Sequence, residues 1–151
     1  MSTVAERLEE VVEEFTDLEG REKLEMLLEY GSSLPPLPER LRDREEHRVH
    51  ECQTPVFVVV ELTPAAEPTE GEPNAGVHLL AEVAEEAPTV KGFVAMLAGA
   101  FEGRPPEEVL AVDDSLVDRL GLADVLGMLR SRGLRAIVEY VKRGVVRAMT
   151  S

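Results

Sequence analysis

Apolar residues near the start of the chain recur at the spacing of an α-helix. Val4, Leu8, Val11, Val12 and Phe15 form one stripe, and Leu24, Leu27 and Leu28 form a second. Residues 17–20 separate the two stripes, and Gly31 follows the second. Because a period near 3.6 buries one face of a helix, the pattern predicts two amphipathic helices that pack on a core.

The pattern changes at Pro35, Pro36 and Pro38, because proline lacks a backbone N–H and disfavours helical geometry in the residue before it. Residues 34–53 are therefore predicted to be a loop, and they are highly charged from position 39 to position 48.

Two strands are predicted next. Residues 55–62 (Pro-Val-Phe-Val-Val-Val-Glu-Leu) are short, β-branched and aromatic, which favours a strand buried on much of both faces. Residues 77–83 offer a second strand, and residues 64–76 between them are rich in proline, glycine and glutamate, which predicts a long hairpin loop. Neighbouring strands of this kind most simply pair antiparallel.

Helical spacing returns after Pro88 and continues to Phe101, with Gly103 as the stop. A short helix is predicted after Pro105 and two more pieces within residues 113–127. The stripe of the last helix consists of Leu134, Ile137, Val138, Val141 and Val145. Together these patterns predict one α+β domain over residues 1–151, with a small antiparallel sheet of two or three strands packed against several helices.

Composition narrows the class of protein. The chain has 151 residues, of which 44% are hydrophobic and 30% charged, as in a folded domain. Its longest apolar run, residues 56–60, is too short to cross a bilayer, and the N-terminus does not resemble a secretory signal, so we expect a cytoplasmic protein. A net charge of −14 argues against nucleic acid or a membrane as the main partner.

The single cysteine, Cys52, excludes an intramolecular disulfide, a dithiol redox pair and a cysteine-based zinc site within one chain. The three histidines are scattered without ligand spacing, so no metal site is expected.

Cys52 lies just before the first predicted strand, where a loop can present a reactive thiol on a rigid support. His47, Arg48 and His50 would lower the pKa of its thiol, whereas Glu51 would raise it. Two alternatives stay open from the residues alone. The thiol is an inert buried side chain, or, with His50 as a base two residues away, it serves a Cys-His hydrolase.

The last helix is rich in basic side chains, namely Arg130, Arg132, Arg135, Lys142, Arg143 and Arg147. Such a face is typical of ordinary solvation near a helix C-terminus, and it also suits the docking of an acidic partner.

Four segments, in order, resemble the SufE family of sulfur-accepting proteins in iron–sulfur cluster assembly. They are residues 28–38 (Leu-Glu-Tyr-Gly-Ser-Ser-Leu-Pro-Pro-Leu-Pro), 51–57 (Glu-Cys-Gln-Thr-Pro-Val-Phe), 86–92 (Glu-Ala-Pro-Thr-Val-Lys-Gly) and 129–134 (Leu-Arg-Ser-Arg-Gly-Leu). The resemblance covers nearly the whole chain and implies a SufE/IscU-like fold. Glu51 departs from the family pattern, which usually has glycine at that position.

The resemblance implies that Cys52 accepts sulfur from a cysteine desulfurase (SufS-like) and relays it to a cluster scaffold (SufB-like). The desulfurase would carry pyridoxal phosphate, and this chain would need no cofactor of its own. Glu51, Gln53, Glu86, Lys91 and Arg130 would shape the site or contact the partner, and the chain would be a monomer or a weak homodimer. A non-catalytic regulatory domain of the same fold is the alternative.

Overall fold

The computed structural model describes residues 2–52, 54–64 and 75–150. The helices are α1 (Val4–Thr16), α2 (Gly20–Gly31), α3 (Pro88–Phe101), α4 (Pro106–Leu110), α5 (Ser115–Arg119), α6 (Ala123–Leu126) and α7 (Met128–Thr150). The strands are β1 (Val56–Pro64) and β2 (Ala75–Val83). Within the described residues the sheet has these two strands, so the α+β class predicted from the sequence is confirmed.

The first helix shows how local sequence fixes an element boundary. Thr3 caps α1: its side chain accepts a hydrogen bond from the Glu6 backbone N–H at 3.2 Å, and the Glu6 carboxylate accepts one from the Thr3 N–H at 3.3 Å. This reciprocal capping box satisfies backbone donors that have no partner inside the helix. The predicted stripe faces inward, and Val4, Leu8, Val11 and Phe15 are buried.

The two strands pair antiparallel, from Val56 opposite Val83 to Pro64 opposite Ala75. The hairpin is therefore longer than predicted. Residue 64 and residues 75–76, which the sequence assigned to the loop, pair within the strands, because Thr63 and Gly76 continue the register. The rest of that predicted loop, residues 65–74, lies outside the described residues.

Both faces of the sheet are covered, as the β-branched pattern predicted. One face joins the main core, which includes Val56 and Val58. On the other face, Leu37 and Leu41 from the proline-rich segment pack on Val59, with Phe57 against them. A proline-containing segment and the helices thus enclose the sheet between them, and this burial stabilises the position at which β1 begins.

The segment predicted as loop, residues 34–53, contains two single turns of 3-10 helix, Glu39–Leu41 and Glu45–His47. Prolines exclude an α-helix here but permit such turns, which need only one bond from residue i+3 to residue i. The Leu41 N–H donates to the Pro38 carbonyl at 2.9 Å, and the buried Leu41 side chain holds the turn against the sheet.

Helix α3 passes through the centre of the fold, where Phe93, Leu97 and Phe101 are almost completely buried. Helix α2 lies unusually close to it. A Cβ atom added at Gly92 of α3 would lie 1.9 Å from the Leu27 carbonyl oxygen of α2. Only a glycine fits between two backbones at this separation.

In the part of the chain that the structure describes, no helix combines the length and the apolar character needed to cross a membrane.

We expect Gly92→Ala to lower the free energy of unfolding by about 3 kcal/mol or more, because the new methyl group must push α2 away from α3. Gly99→Ala is the matched control: it lies on the same helix, and nothing lies within 4 Å of its added Cβ. The control is expected to be neutral or slightly stabilising, since alanine favours a helix over glycine. Urea unfolding of both variants measures the difference. Equal stability of the two would contradict the close contact.

Candidate functional site

Cys52 lies at the tip of a short loop whose base is closed by the backbone. The Val49 N–H donates to the Val56 carbonyl at 2.8 Å, and Arg48 forms an antiparallel bridge with Phe57. Val49 and Val56 are both fully buried. The two ends of the loop are therefore anchored in the core, and only its tip projects beyond the start of β1.

At the tip, the Cys52 N–H donates to the Val49 carbonyl at 3.2 Å, which closes a turn. This turn directs the side chain toward α7, where the thiol donates to the Gly133 carbonyl across 3.8 Å. Cys52 is half-buried. The structure thus places the thiol at the junction of loop and strand that the sequence indicated, in contact with a helix more than eighty residues away in sequence.

The thiol opens onto a cavity of about 120 Å³. Its wall is built from the Cys52 loop, the start of α3 and the start of α7, and comprises Glu51, Cys52, Thr54, Glu86, Ala87, Val90, Leu129, Arg130, Arg132 and Gly133. The volume exceeds the roughly 10–15 Å³ needed for one water-sized probe several times over. The cavity can therefore hold additional atoms bonded to the cysteine sulfur.

Three of the side chains predicted for the site, Glu51, Glu86 and Arg130, line this cavity together with Cys52. Lys91 does not. It lines a separate depression beside Pro35 and Phe57, on the sheet side of the start of α3. Gln53 lies outside the described residues.

The environment of the sulfur opposes ionisation. Burial, as the larger cause, and the negative charge of Glu51 together raise the pKa of the Cys52 thiol to about 11. At pH 7 only about one molecule in ten thousand then carries a thiolate. The expectation that His47, Arg48 and His50 lower this pKa is wrong, because the shift is upward and its causes are burial and the charge of Glu51.

Helix α7 holds the loop at a second place. The Tyr140 hydroxyl donates to the Glu46 carbonyl at 2.8 Å, and the guanidinium groups of Arg143 and Arg147 lie 5.9 and 5.7 Å from the centre of the Tyr140 ring. Arg143 also approaches the Glu51 carboxylate at 3.9 Å. The charge beside the thiol is thus partly balanced by the same helix that contacts the sulfur.

Two features of the site were missed by the sequence reasoning. Met128 and Leu129, at the start of α7, are 79% and 57% exposed, and Leu129 lines the cavity mouth. Gly133 lines the cavity beside the sulfur. The sequence did contain a signal for Gly133. A glycine within a predicted helix lowers the stability of the helix, so its presence indicates a packing or functional role.

The SufE family profile, described as the Fe-S metabolism associated domain, matches residues 9–145. The chain belongs to the SufE family. The resemblance inferred from the four sequence segments is therefore confirmed, and the match includes the Cys52 loop and the start of α7.

Individual relatives agree with this assignment. An uncharacterized SufE-like protein of Mycobacterium tuberculosis is 37% identical over 136 residues, which cover 90% of this chain and 89% of that protein. The cysteine desulfuration protein SufE of Plasmodium vivax is 30% identical over 123 residues, 81% of this chain and 44% of that protein. The solution structure of a hypothetical protein from Thermus thermophilus superposes with a TM-score of 0.75 at 37% identity, covering 96% of this chain and 97% of that one.

Removing the charge beside the thiol should increase its reactivity. We expect Glu51→Gln to raise the rate of Cys52 alkylation by iodoacetamide severalfold at a fixed pH between about 8 and 10. The alkylation rate is proportional to the fraction of Cys52 present as thiolate, and this fraction is larger in the variant because the pKa of its thiol is lower. The pKa of the Cys52 thiol in the variant should nevertheless stay above the ordinary value of 9.0, since burial is the larger cause of the shift. In both proteins the rate should still rise with pH throughout this range.

Glu10→Gln removes the same charge from the exposed surface of α1 and serves as the control, with no expected change in rate. Equal alkylation rates for Glu51→Gln and the wild type would contradict the electrostatic contribution of Glu51.

Proposed function

We propose that this protein accepts sulfur on Cys52 from a cysteine desulfurase and carries it to an iron–sulfur cluster scaffold. The observation that carries the proposal is a lone thiol held at a loop tip over a cavity, in a chain that belongs to the SufE family. The Plasmodium vivax relative named a cysteine desulfuration protein supports the same class of activity.

The transfer is a thiol–disulfide type of exchange. The Cys52 thiolate attacks the outer sulfur of a persulfide on the desulfurase, a new sulfur–sulfur bond forms on Cys52, and the bond within the donor persulfide breaks. The donor cysteine leaves as a thiolate, and Cys52 becomes a persulfide. One sulfur atom moves and no external oxidant or reductant is consumed. The proton lost from Cys52 passes to the departing thiolate or to solvent.

A raised pKa suits a carrier that meets its donor only in a complex. In the free protein the Cys52 thiol stays protonated and reacts slowly with oxidants and alkylating agents. Docking that moves the loop tip away from α7, or brings a positive charge near it, would favour the thiolate. Because the ends of the loop are anchored by Val49 and Val56, such a movement would be confined to the tip.

A single cysteine also suits the product. A persulfide is attacked readily by a neighbouring thiol, which would release sulfide and leave a disulfide. Cys52 is the only cysteine of the chain, so this loss cannot occur within one molecule.

The mouth of the cavity supplies a surface for the partner. Arg130 and Arg132 are exposed there beside Leu129 and Met128, although the whole chain carries a net charge of −14. Glu51 and Glu86 line the cavity from the Cys52 loop and the start of α3, so the basic and apolar edge is the one formed by α7. On an acidic protein, this edge would direct an acidic region of the desulfurase to the thiol rather than elsewhere. The desulfurase would hold the pyridoxal phosphate, and the chemistry proposed for this chain requires no cofactor.

Sulfur acceptance is tested by incubating the protein with a cysteine desulfurase and free cysteine, then measuring the intact mass. We expect a species heavier by about 32 Da, one sulfur atom, in the wild type and none in Cys52→Ser. Desulfurase turnover should rise with added wild-type protein and not with the variant.

Two other outcomes would overturn the proposal. Full stimulation of the desulfurase by Cys52→Ser, without any mass increase in the wild type, would indicate a regulatory domain that does not carry sulfur. Ester hydrolysis without a partner would indicate a Cys-His hydrolase, a function that the structure disfavours because among the described residues no histidine is hydrogen-bonded to the Cys52 thiol.

Docking through the cavity mouth is tested by Arg130→Glu. We expect the concentration of carrier needed for half-maximal desulfurase stimulation to rise about tenfold, with a smaller effect at saturation and a strong dependence on salt. Arg21→Glu is the control, since it makes the same charge change on a side chain of α2 that is 92% exposed. Equal effects of the two substitutions would show that net charge, and not this surface, governs docking.

A further inference from the structure

Gly133 of α7 lies next to the Cys52 sulfur. A Cβ atom built on Gly133 would lie 3.7 Å from the Cys52 sulfur, and among the described residues no other heavy atom outside its two chain neighbours and the surrounding backbone of α7 comes within 4 Å of it. This distance is an ordinary van der Waals contact. An alanine at this position is therefore compatible with the free thiol.

The other tightly placed glycines have packing explanations. Gly92 faces the backbone of α2, Gly76 faces the backbone of Gly103, and an added Cβ at Gly144 would lie 2.9 Å from a methyl group of Val60. Gly133 has no such neighbour and no positive φ angle, yet glycine inside a helix costs about 1 kcal/mol relative to alanine. The fold alone does not explain a glycine at this position.

A persulfide on Cys52 needs more space around the sulfur than the free thiol does. Its outer sulfur lies about 2.05 Å from the cysteine sulfur. An alanine methyl group at position 133 would lie 3.7 Å from Cys52 Sγ. If the S–S bond points within roughly 70° of the direction from Sγ to this methyl group, the outer sulfur comes closer than about 3.6 Å to the methyl carbon, which is inside the optimal contact distance. With glycine, no methyl group limits these directions, and residue 133 bounds the cavity with its backbone alone.

We propose that Gly133 is the positioning residue that makes room for the outer sulfur of the Cys52 persulfide and so determines that the sulfur is stored in the cavity. The inference rests on the proposed function, because it concerns the loaded form of the same cysteine. The stored sulfur would lie in the cavity that is lined by α7 and by Val90 of α3. An alanine would turn the persulfide outward, where small reductants reach it.

The test compares wild type, Gly133→Ala and Gly99→Ala. Each protein is loaded with sulfur by a desulfurase and cysteine, separated from them, and exposed to an excess of a water-soluble phosphine. The phosphine takes the outer sulfur as a phosphine sulfide and leaves the thiol, which intact mass follows as a loss of about 32 Da. Gly99→Ala makes the same change on an exposed helical position without a neighbour within 4 Å.

We expect Gly133→Ala to lose its sulfur about tenfold faster than the other two proteins. A tenfold change corresponds to the free-energy cost that one additional methyl group typically has in a packed site. Failure of Gly133→Ala to load at all, while the others load, would contradict the inference, because the proposal has alanine redirect the persulfide and not prevent it. In the unloaded proteins, iodoacetamide should alkylate Cys52 at rates that agree within about twofold, because the methyl group only touches the free sulfur.

The outcomes separate the two proposals. If the wild type never gains sulfur, the proposed function fails. If all three proteins load and lose sulfur at equal rates, sulfur transfer stands and the role of Gly133 is overturned. A tenfold change in the alkylation of the unloaded Gly133→Ala thiol would also overturn it, since the methyl group would then disturb the free cysteine rather than the persulfide.

Discussion

The contact between the Cys52 sulfur and the backbone of α7 is the constraint on which the site depends. One side of this contact is a loop fastened at its base by the hydrogen bond from Val49 to Val56, and the other is the helical turn that contains Gly133. Both supports are anchored in the same hydrophobic core, since Val49, Val56 and Leu134 are fully buried. The position of one sulfur atom is therefore fixed by the packing of the whole fold.

In this arrangement the Cys52 thiol is shielded from solvent and, for the same reason, is poorly reactive. The burial that shields the thiol is also the larger cause of its raised pKa, so the free protein cannot be both sheltered and strongly nucleophilic. The base of the loop is anchored by the Val49–Val56 hydrogen bond, so under the proposed function a partner would alter the surroundings of the sulfur at the tip without unfolding β1. Glu51 strengthens the protected state, and its approach to Arg143 moderates the effect.

Much of the fold follows from local pattern. Helical stripes and strand composition located every long helix and both strands, because amphipathic spacing reports directly which face is buried. The 3-10 turns beside Leu41 and the extra pairs near Pro64 escaped prediction, since they depend on packing against the sheet and on register between strands. Cys52 was recognisable from its uniqueness and its position before β1. Its raised pKa was not, because burial by α7 is a tertiary property.

The glycines of the chain illustrate how tertiary structure assigns different roles to one residue type. Sequence alone shows Gly92, Gly133 and Gly144 as three similar interruptions of helical patterns. The structure separates them by what a side chain would meet: a backbone oxygen at 1.9 Å, the cysteine sulfur at 3.7 Å and a valine methyl at 2.9 Å. At Gly92 this packing leaves no room for a side chain, and at Gly144 an added Cβ would require the Val60 side chain to shift. If Cys52 carries a persulfide as proposed, the requirement for glycine at position 133 concerns the loaded state and not the stability of the free protein.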